Sequence, residues 1–133
     1  MIVGTGLDVA DITRVARLVA DHADELERAF TQHERAFCEA APARRRPARY
    51  AAVFAAKEAV MKALGTGWRP DVEWSDIDTR APGLPGVVAL SGAMLDAAQQ
   101  QRVTRVRVTT AITSAAAIAA AVAEAECDET LTE

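Results

Sequence analysis

One stretch constrains the fold more than any other. Ala48 to Leu64 is built almost wholly from Ala, Lys, Glu, Met and other strong helix formers, and it stops at Gly65-Thr66-Gly67. It is the strongest helix signal in the sequence, and a length of 133 residues suggests one domain. Half of the residues are hydrophobic, but aromatics make up only 5%. Small side chains bury little area each, at roughly 25 cal/mol per Å² of apolar surface. Such a chain needs apolar surface from elsewhere, and association with further copies is one source.

The rest of the sequence divides into short elements. Ile2 to Val9 reads as a strand with glycines where backbone must come close. Asp11 can cap a helix through about Val19, because Ile12, Val15, Leu18 and Val19 fall on one face. A second helix spans about Ala23 to Phe30, and Thr31-x-x-Glu34 is a capping box that opens a third. Pro42 and Pro47 bracket a basic loop with Arg44, Arg45, Arg46 and Arg49. That run reads as a solvated loop or as a dock for phosphate or an acidic partner. Trp74 to Thr79 and Val87 to Leu90 read as short strands, and Gly92 to Gln101 as a helix. Pro70 and Pro82 to Gly86 punctuate loops. Val103 to Thr110 alternates Val106 and Val108 with Arg105 and Arg107, the pattern of a half-buried strand. Ser114 to Glu124 is ambiguous: its alanines favour helix, but its place after a strand and a short turn favours a hairpin. The expectation is one domain over 1–133, with an acidic tail over about 125–133.

Several function classes are disfavoured. The net charge is −4, which gives no case for nucleic acid as a partner. The apolar run from Ser114 to Ala123 is too short to span a bilayer. No signal-peptide pattern opens the sequence, and Cys38 and Cys127 lack metal-ligand spacing. These features lead us to expect a soluble, cytoplasmic protein with two incidental thiols. His22 and His33 lie on polar stretches and read as surface residues.

The chain uses Arg for positive charge almost throughout and keeps only two lysines, Lys57 and Lys62, both in the long helix. Lys is a compact donor with a tunable pKa, which Arg is not. Glu58 and Lys62 are four residues apart and share a face, so they can form an ordinary surface pair or part of a site. Gly65-Thr66-Gly67 can simply end the helix or present backbone N–H groups to phosphate.

The segment Phe54-Ala-Ala-Lys57-Glu58-Ala-x-x-Lys62-Ala-Leu-Gly65-Thr66-Gly67 resembles the signature of the holo-acyl-carrier-protein synthases, the small trimeric class of phosphopantetheinyl transferases. Gly4-x-Gly6-x-Asp8-x-x-x-Ile12-x-Arg14 and Phe30-Thr31-x-x-Glu34-x-x-Phe37-Cys38 are similar to two further family motifs. Trp74-x-Asp76-Ile77, a loose Gly83-to-Gly92 stretch and the two closing strands also correspond. The resemblance covers nearly the whole chain. It implies an α+β fold: an antiparallel sheet with a long central helix, assembled as a homotrimer with sites between subunits. It makes Ser114 to Glu124 a strand. It implies transfer of phosphopantetheine from coenzyme A to a serine of an acyl carrier protein, as in fatty-acid or polyketide assembly. Asp8 and Glu58 would hold Mg2+, as hard oxygen ligands suit that ion. Lys62 would touch the pyrophosphate or assist proton transfer. Gly65, Thr66 and Gly67 would lie against the nucleotide, with Arg49 a further candidate. Arg14 and Arg17 would receive the carrier protein.

Two departures from the family pattern stand out. Val53 occupies the place of a basic residue, and the turn between the last two strands, placed at about Thr109-Thr110-Ala111, is not followed by histidine. In the family these groups help hold the 3′-phosphate end of coenzyme A. Their loss predicts weak discrimination against dephospho-coenzyme A. It also opens an alternative: a repurposed member that binds a carrier protein, or acts on a carrier-bound substrate, without the transfer.

Overall fold

The computed structural model describes residues 1–80 and 86–127. Pro82 to Pro85 and most of the acidic tail lie outside the described residues. The elements run in the order β1 (Ile2–Asp11), α1 (Ile12–Asp21), α2 (Ala23–Ala29), α3 (Gln32–Glu39), α4 (Arg46–Ala63), β2 (Ile77–Asp78), β3 (Gly86–Val87), β4 (Ala89–Leu90), α5 (Gly92–Gln100), β5 (Val103–Ile112) and β6 (Ala116–Ala125). An antiparallel sheet has the order β1-β6-β5-β3, and β2 pairs with β4 in a separate ribbon. This is the α+β architecture expected, with α4 lying across one sheet face. Among the described residues no helix is long and apolar enough to cross a membrane.

The local signals act as anticipated. The Asp11 carboxylate accepts from the Arg14 N–H and starts α1. Both halves of the Thr31–Glu34 capping box are made. After α4, the Gly65 and Thr66 N–H groups donate to the Lys62 and Met61 carbonyls. This double closure is the Schellman stop, and it needs the left-handed backbone that Gly65 supplies at φ 68°.

The alanines are explained by packing. Ala55, Ala56, Ala59 and Ala63 of α4 and Ala117, Ala119, Ala121 and Ala123 of β6 are all buried. Where helix and sheet both present methyl groups, the two layers approach closely, and contact density substitutes for side-chain bulk. The approach is closest over β1. A Cβ on Gly4 would lie 1.9 Å from the Ala63 carbonyl oxygen, and one on Gly6 would lie 1.9 Å from that of Ala59. Two strand residues rise about 6.6 Å and four helix residues about 6.0 Å, so the glycines fall opposite successive turns of α4.

Three expectations need correction. The basic stretch is not a loop: Ala43–Arg45 form a 3₁₀ turn, and Arg46 and Pro47 already belong to α4. Pro is tolerated there because first-turn N–H groups have no intrahelical partner. Trp74–Asp76 form a 3₁₀ turn rather than strand, so only Ile77–Asp78 pair. Val87 to Leu90 is not one strand, because β3 pairs with β5 while β4 turns away to β2.

Candidate functional site

The glycine seam delivers Asp8. Side chains alternate along a strand, so Gly4, Gly6 and Asp8 point to the helix side, and Asp8 is the first of them with a side chain to offer. Its Oδ1 accepts from Lys62 Nζ at 2.8 Å, and the same ammonium donates to the Leu7 carbonyl at 3.0 Å. Lys62 therefore pairs across to β1. The Asp8 side chain is nearly covered, whereas that of Lys62 is about half exposed. The pairing raises the Lys62 pKa, chiefly through its hydrogen bond to Asp8.

Glu58 completes a carboxylate pair. Partial burial pushes its pKa up to about 7, and a hydrogen bond with Asp8 and the Asp8 charge add to that rise. Lys62 and Arg14 pull it back down. One centre thus gathers Asp8 from β1, Glu58 and Lys62 from α4, and Arg14 from α1. Two facing carboxylates, one stabilised in its protonated form, are short of positive charge. Their hard oxygens, with no third acidic, Cys or His partner among the described residues, fit a divalent ion that takes its other ligands from water and phosphate.

Gly65, Thr66 and Gly67 follow Lys62 at the end of α4, and both glycines have left-handed φ with open space where a Cβ would be. Arg17 is exposed on α1 with Arg14. Arg49 is not brought to the carboxylates. It lies nine residues before Glu58, on the far side of α4, with its guanidinium 4.4 Å from the Phe37 ring and bonded to the Phe37 carbonyl. Lys57 is separated from Lys62 altogether and is fully buried against Glu34.

Two further placements bear on the departures. Val53 has no exposed surface, so a basic residue there would enter the core. Thr109 to Ala111 lie inside β5, and the hairpin turn is formed by residues 113–115. The turn therefore falls several residues later than the sequence suggested, because β5 stays paired as far as Ile112 with Ala117.

Sequence reasoning missed a groove. Val15, Leu18 and Val19 of α1 and Leu26 and Ala29 of α2 face each other over Phe54 and Trp74, enclosing about 300 Å³. Phe54 and Trp74 stack with ring centroids 5.2 Å apart. The groove adjoins the carboxylate centre, since Phe54 is one turn from Glu58 and Val15 follows Arg14. The available signal was the apolar face of α1, which continues into the exposed Leu18.

Residues 4–122 match the sequence profile of the 4′-phosphopantetheinyl transferase superfamily. The chain belongs to this superfamily. The holo-[acyl-carrier-protein] synthase of Anaeromyxobacter dehalogenans strain 2CP-C is 44% identical over 115 residues, covering 82% of this chain and 85% of that one. A holo-(acyl-carrier-protein) synthase of Bacillus anthracis, solved in complex with CoA (3′,5′-ADP), superposes with a TM-score of 0.74 at 28% identity, covering 95% of this chain and 99% of that chain. The Neisseria meningitidis enzyme gives 0.74 at 28%, covering 93% and 99%. The motifs singled out in the sequence, from Gly4 to the closing strands, fall within or at the edge of the matched span.

Proposed function

We propose that this transferase-family chain moves 4′-phosphopantetheine from coenzyme A to a serine of an acyl carrier protein, with Mg2+ as its resident ion. The convergence of Asp8, Glu58, Lys62 and Arg14 carries the reading, joined to the likeness to named holo-acyl-carrier-protein synthases. The serine hydroxyl attacks the phosphorus that bears the pantetheine arm. The pyrophosphate P–O bond breaks, adenosine 3′,5′-bisphosphate leaves, and the serine proton passes to a base.

Asp8 and Glu58 would hold the ion, which neutralises pyrophosphate charge and helps align in-line attack. Lys62, about half exposed, can exchange its Asp8 contact for a phosphate oxygen. Glu58, whose pKa is raised to about 7 in the ion-free protein, would give up its proton when the ion binds and serve as a ligand rather than as the base. Gly65 to Gly67 flank the nucleotide end. Arg14 and Arg17 on α1, beside the apolar groove, receive the acidic carrier. Such a donor and acceptor suit a cytoplasmic protein.

The test is the intact mass of an apo carrier protein after incubation with coenzyme A, Mg2+ and this protein. A gain of one phosphopantetheine is expected. An unmodified carrier that nonetheless binds would favour the repurposed reading.

The trimer also belongs to this reading. The sheet face away from α4 carries Leu7 and Val9 at 62% and 60% exposure, beside half-buried Ile118 and Val122. That is an apolar face of the kind copies cover. Light scattering should give three chain masses at micromolar concentration, and Leu7→Glu should lower the mass. A monomeric wild type removes the trimer and any site shared between subunits.

Weak discrimination at the 3′-phosphate remains the expectation. Arg49 is engaged with Phe37, and Arg44 and Arg45 are exposed in the 3₁₀ turn. The preference for coenzyme A over dephospho-coenzyme A in kcat/KM should be about tenfold or less, since each 1.4 kcal/mol of contact energy is a factor of ten. A preference of about a thousandfold would instead assign the clamp to Arg44 and Arg45.

A further inference from the structure

Lys57 is the lysine the reaction does not use, and its surroundings are unusually complete. Its ammonium, with no exposed surface, donates to Glu34 Oε1 at 2.6 Å, to the Ala29 carbonyl at 2.7 Å and to the Trp74 carbonyl at 2.9 Å. Glu34 is equally enclosed. It accepts from the Thr31 N–H at 2.8 Å, the Thr79 N–H at 3.0 Å and the Thr79 hydroxyl at 2.8 Å. Every polar atom of the pair has a partner, the condition for keeping two charges inside a core. Burial pulls the Lys57 pKa down and Glu34 opposes that pull.

Two of the atoms Lys57 holds belong to the groove. Ala29 is the last residue of α2, and Trp74 forms part of the floor. α2 is seven residues long and has no fully buried residue. A helix so short is marginal alone, so its position depends on what grips its ends. The Lys57 ammonium grips its C-terminal carbonyl, at the negative end of the helix dipole. The carboxylate centre is held differently, by the Gly4 and Gly6 seam between β1 and α4. α4 therefore carries two independent fixtures, one for the chemistry and one for the groove wall.

We propose that Lys57 and Glu34 are a positioning pair that sets the width of the α1–α2 groove for the carrier protein, without acting on the phosphoryl-transfer centre. Buried ion pairs are often no more stabilising than apolar replacements. The function assigned here is placement of α2, not stability. The inference rests on the carrier-docking reading above.

The test uses the full chain carrying Glu34→Gln together with Lys57→Met. This removes both charges and the tether while leaving an amide oxygen to accept from the Thr79 N–H and hydroxyl, at the cost of the Thr31 N–H bond. Three quantities are compared with wild type: Kd for an apo acyl carrier protein without turnover, KM for each substrate, and kcat. The carrier Kd and KM should rise about tenfold or more, while kcat and the coenzyme A KM stay within about twofold, the signature of lost carrier binding rather than lost chemistry. Equal losses toward both substrates, or an unchanged carrier Kd in a folded variant, overturn the proposal. If the double variant does not fold, Thr79→Val decides. It removes one hydroxyl bond to Glu34 and should raise the carrier Kd about threefold, again without moving the coenzyme A KM. A wild type that binds carrier without transferring overturns the transferase reading, and the Kd comparison still decides the pair. A wild type that does neither overturns both.

Discussion

Gly6→Ala should lower the melting temperature by more than about 10 °C, at a destabilisation of about 3 kcal/mol. The added methyl would sit 1.9 Å from the Ala59 carbonyl oxygen and 2.8 Å from the Ala63 nitrogen. Both are backbone atoms of a buried helix, so no side-chain rotation relieves the clash. Either β1 or α4 must move, and β1 is held by its ladder with β6 from Ile2 to Asp11. The displacement would also draw Asp8 from Lys62, so activity should fall with stability. Gly65→Ala is the contrast. Nothing lies within 4 Å of its Cβ, and the only penalty is the left-handed φ of 68°, worth about 1 kcal/mol. If the two variants melt together, close packing at the seam is not what fixes β1.

That seam shows what was legible in the sequence. Glycine at positions 4 and 6 announced a close approach, and the long helix ending at Gly65 announced what approached. The sequence did not say that one turn of α4 would match two residues of β1, because that match depends on the crossing of the two elements. Capping at Asp11, Thr31 and Gly65 was readable because each signal is satisfied within a few residues. Val106 and Val108 were readable because alternation reports a face. Lys57 and Lys62 looked alike, although five residues of helix is about 140° around the axis. The wheel alone could have separated them, but only the packing of α2 and Trp74 shows that Lys57 points into a polar pocket inside the core. Val53 is the harder case. Its neighbours in sequence mark a functional segment, yet its own surroundings are apolar and closed.

Glu58→Gln should abolish transfer and leave the protein at least as stable as wild type. Removing one of two carboxylate ligands should reduce kcat/KM by about 10³-fold or more, since several kcal/mol of charge stabilisation are lost at a factor of ten per 1.36 kcal/mol. Asp8→Asn should behave alike. Stability should move the other way. In the folded protein the Glu58 pKa is raised from 4.5 to about 7 by burial and by Asp8. Unfolding therefore releases a proton in the interval between those values, and the folded state loses stability as pH rises through it. Glutamine is neutral throughout and escapes that loss. In chelator, the melting temperature of Glu58→Gln relative to wild type should be higher at pH 8 than at pH 5. Added Mg2+ should then raise the wild-type melting temperature at pH 8 and leave that of the variant unmoved, because an ion that binds only the folded form stabilises it by mass action. A pH-independent difference would place Glu58 away from Asp8 in solution. An equal Mg2+ response in both proteins would remove Glu58 from the ion's ligands.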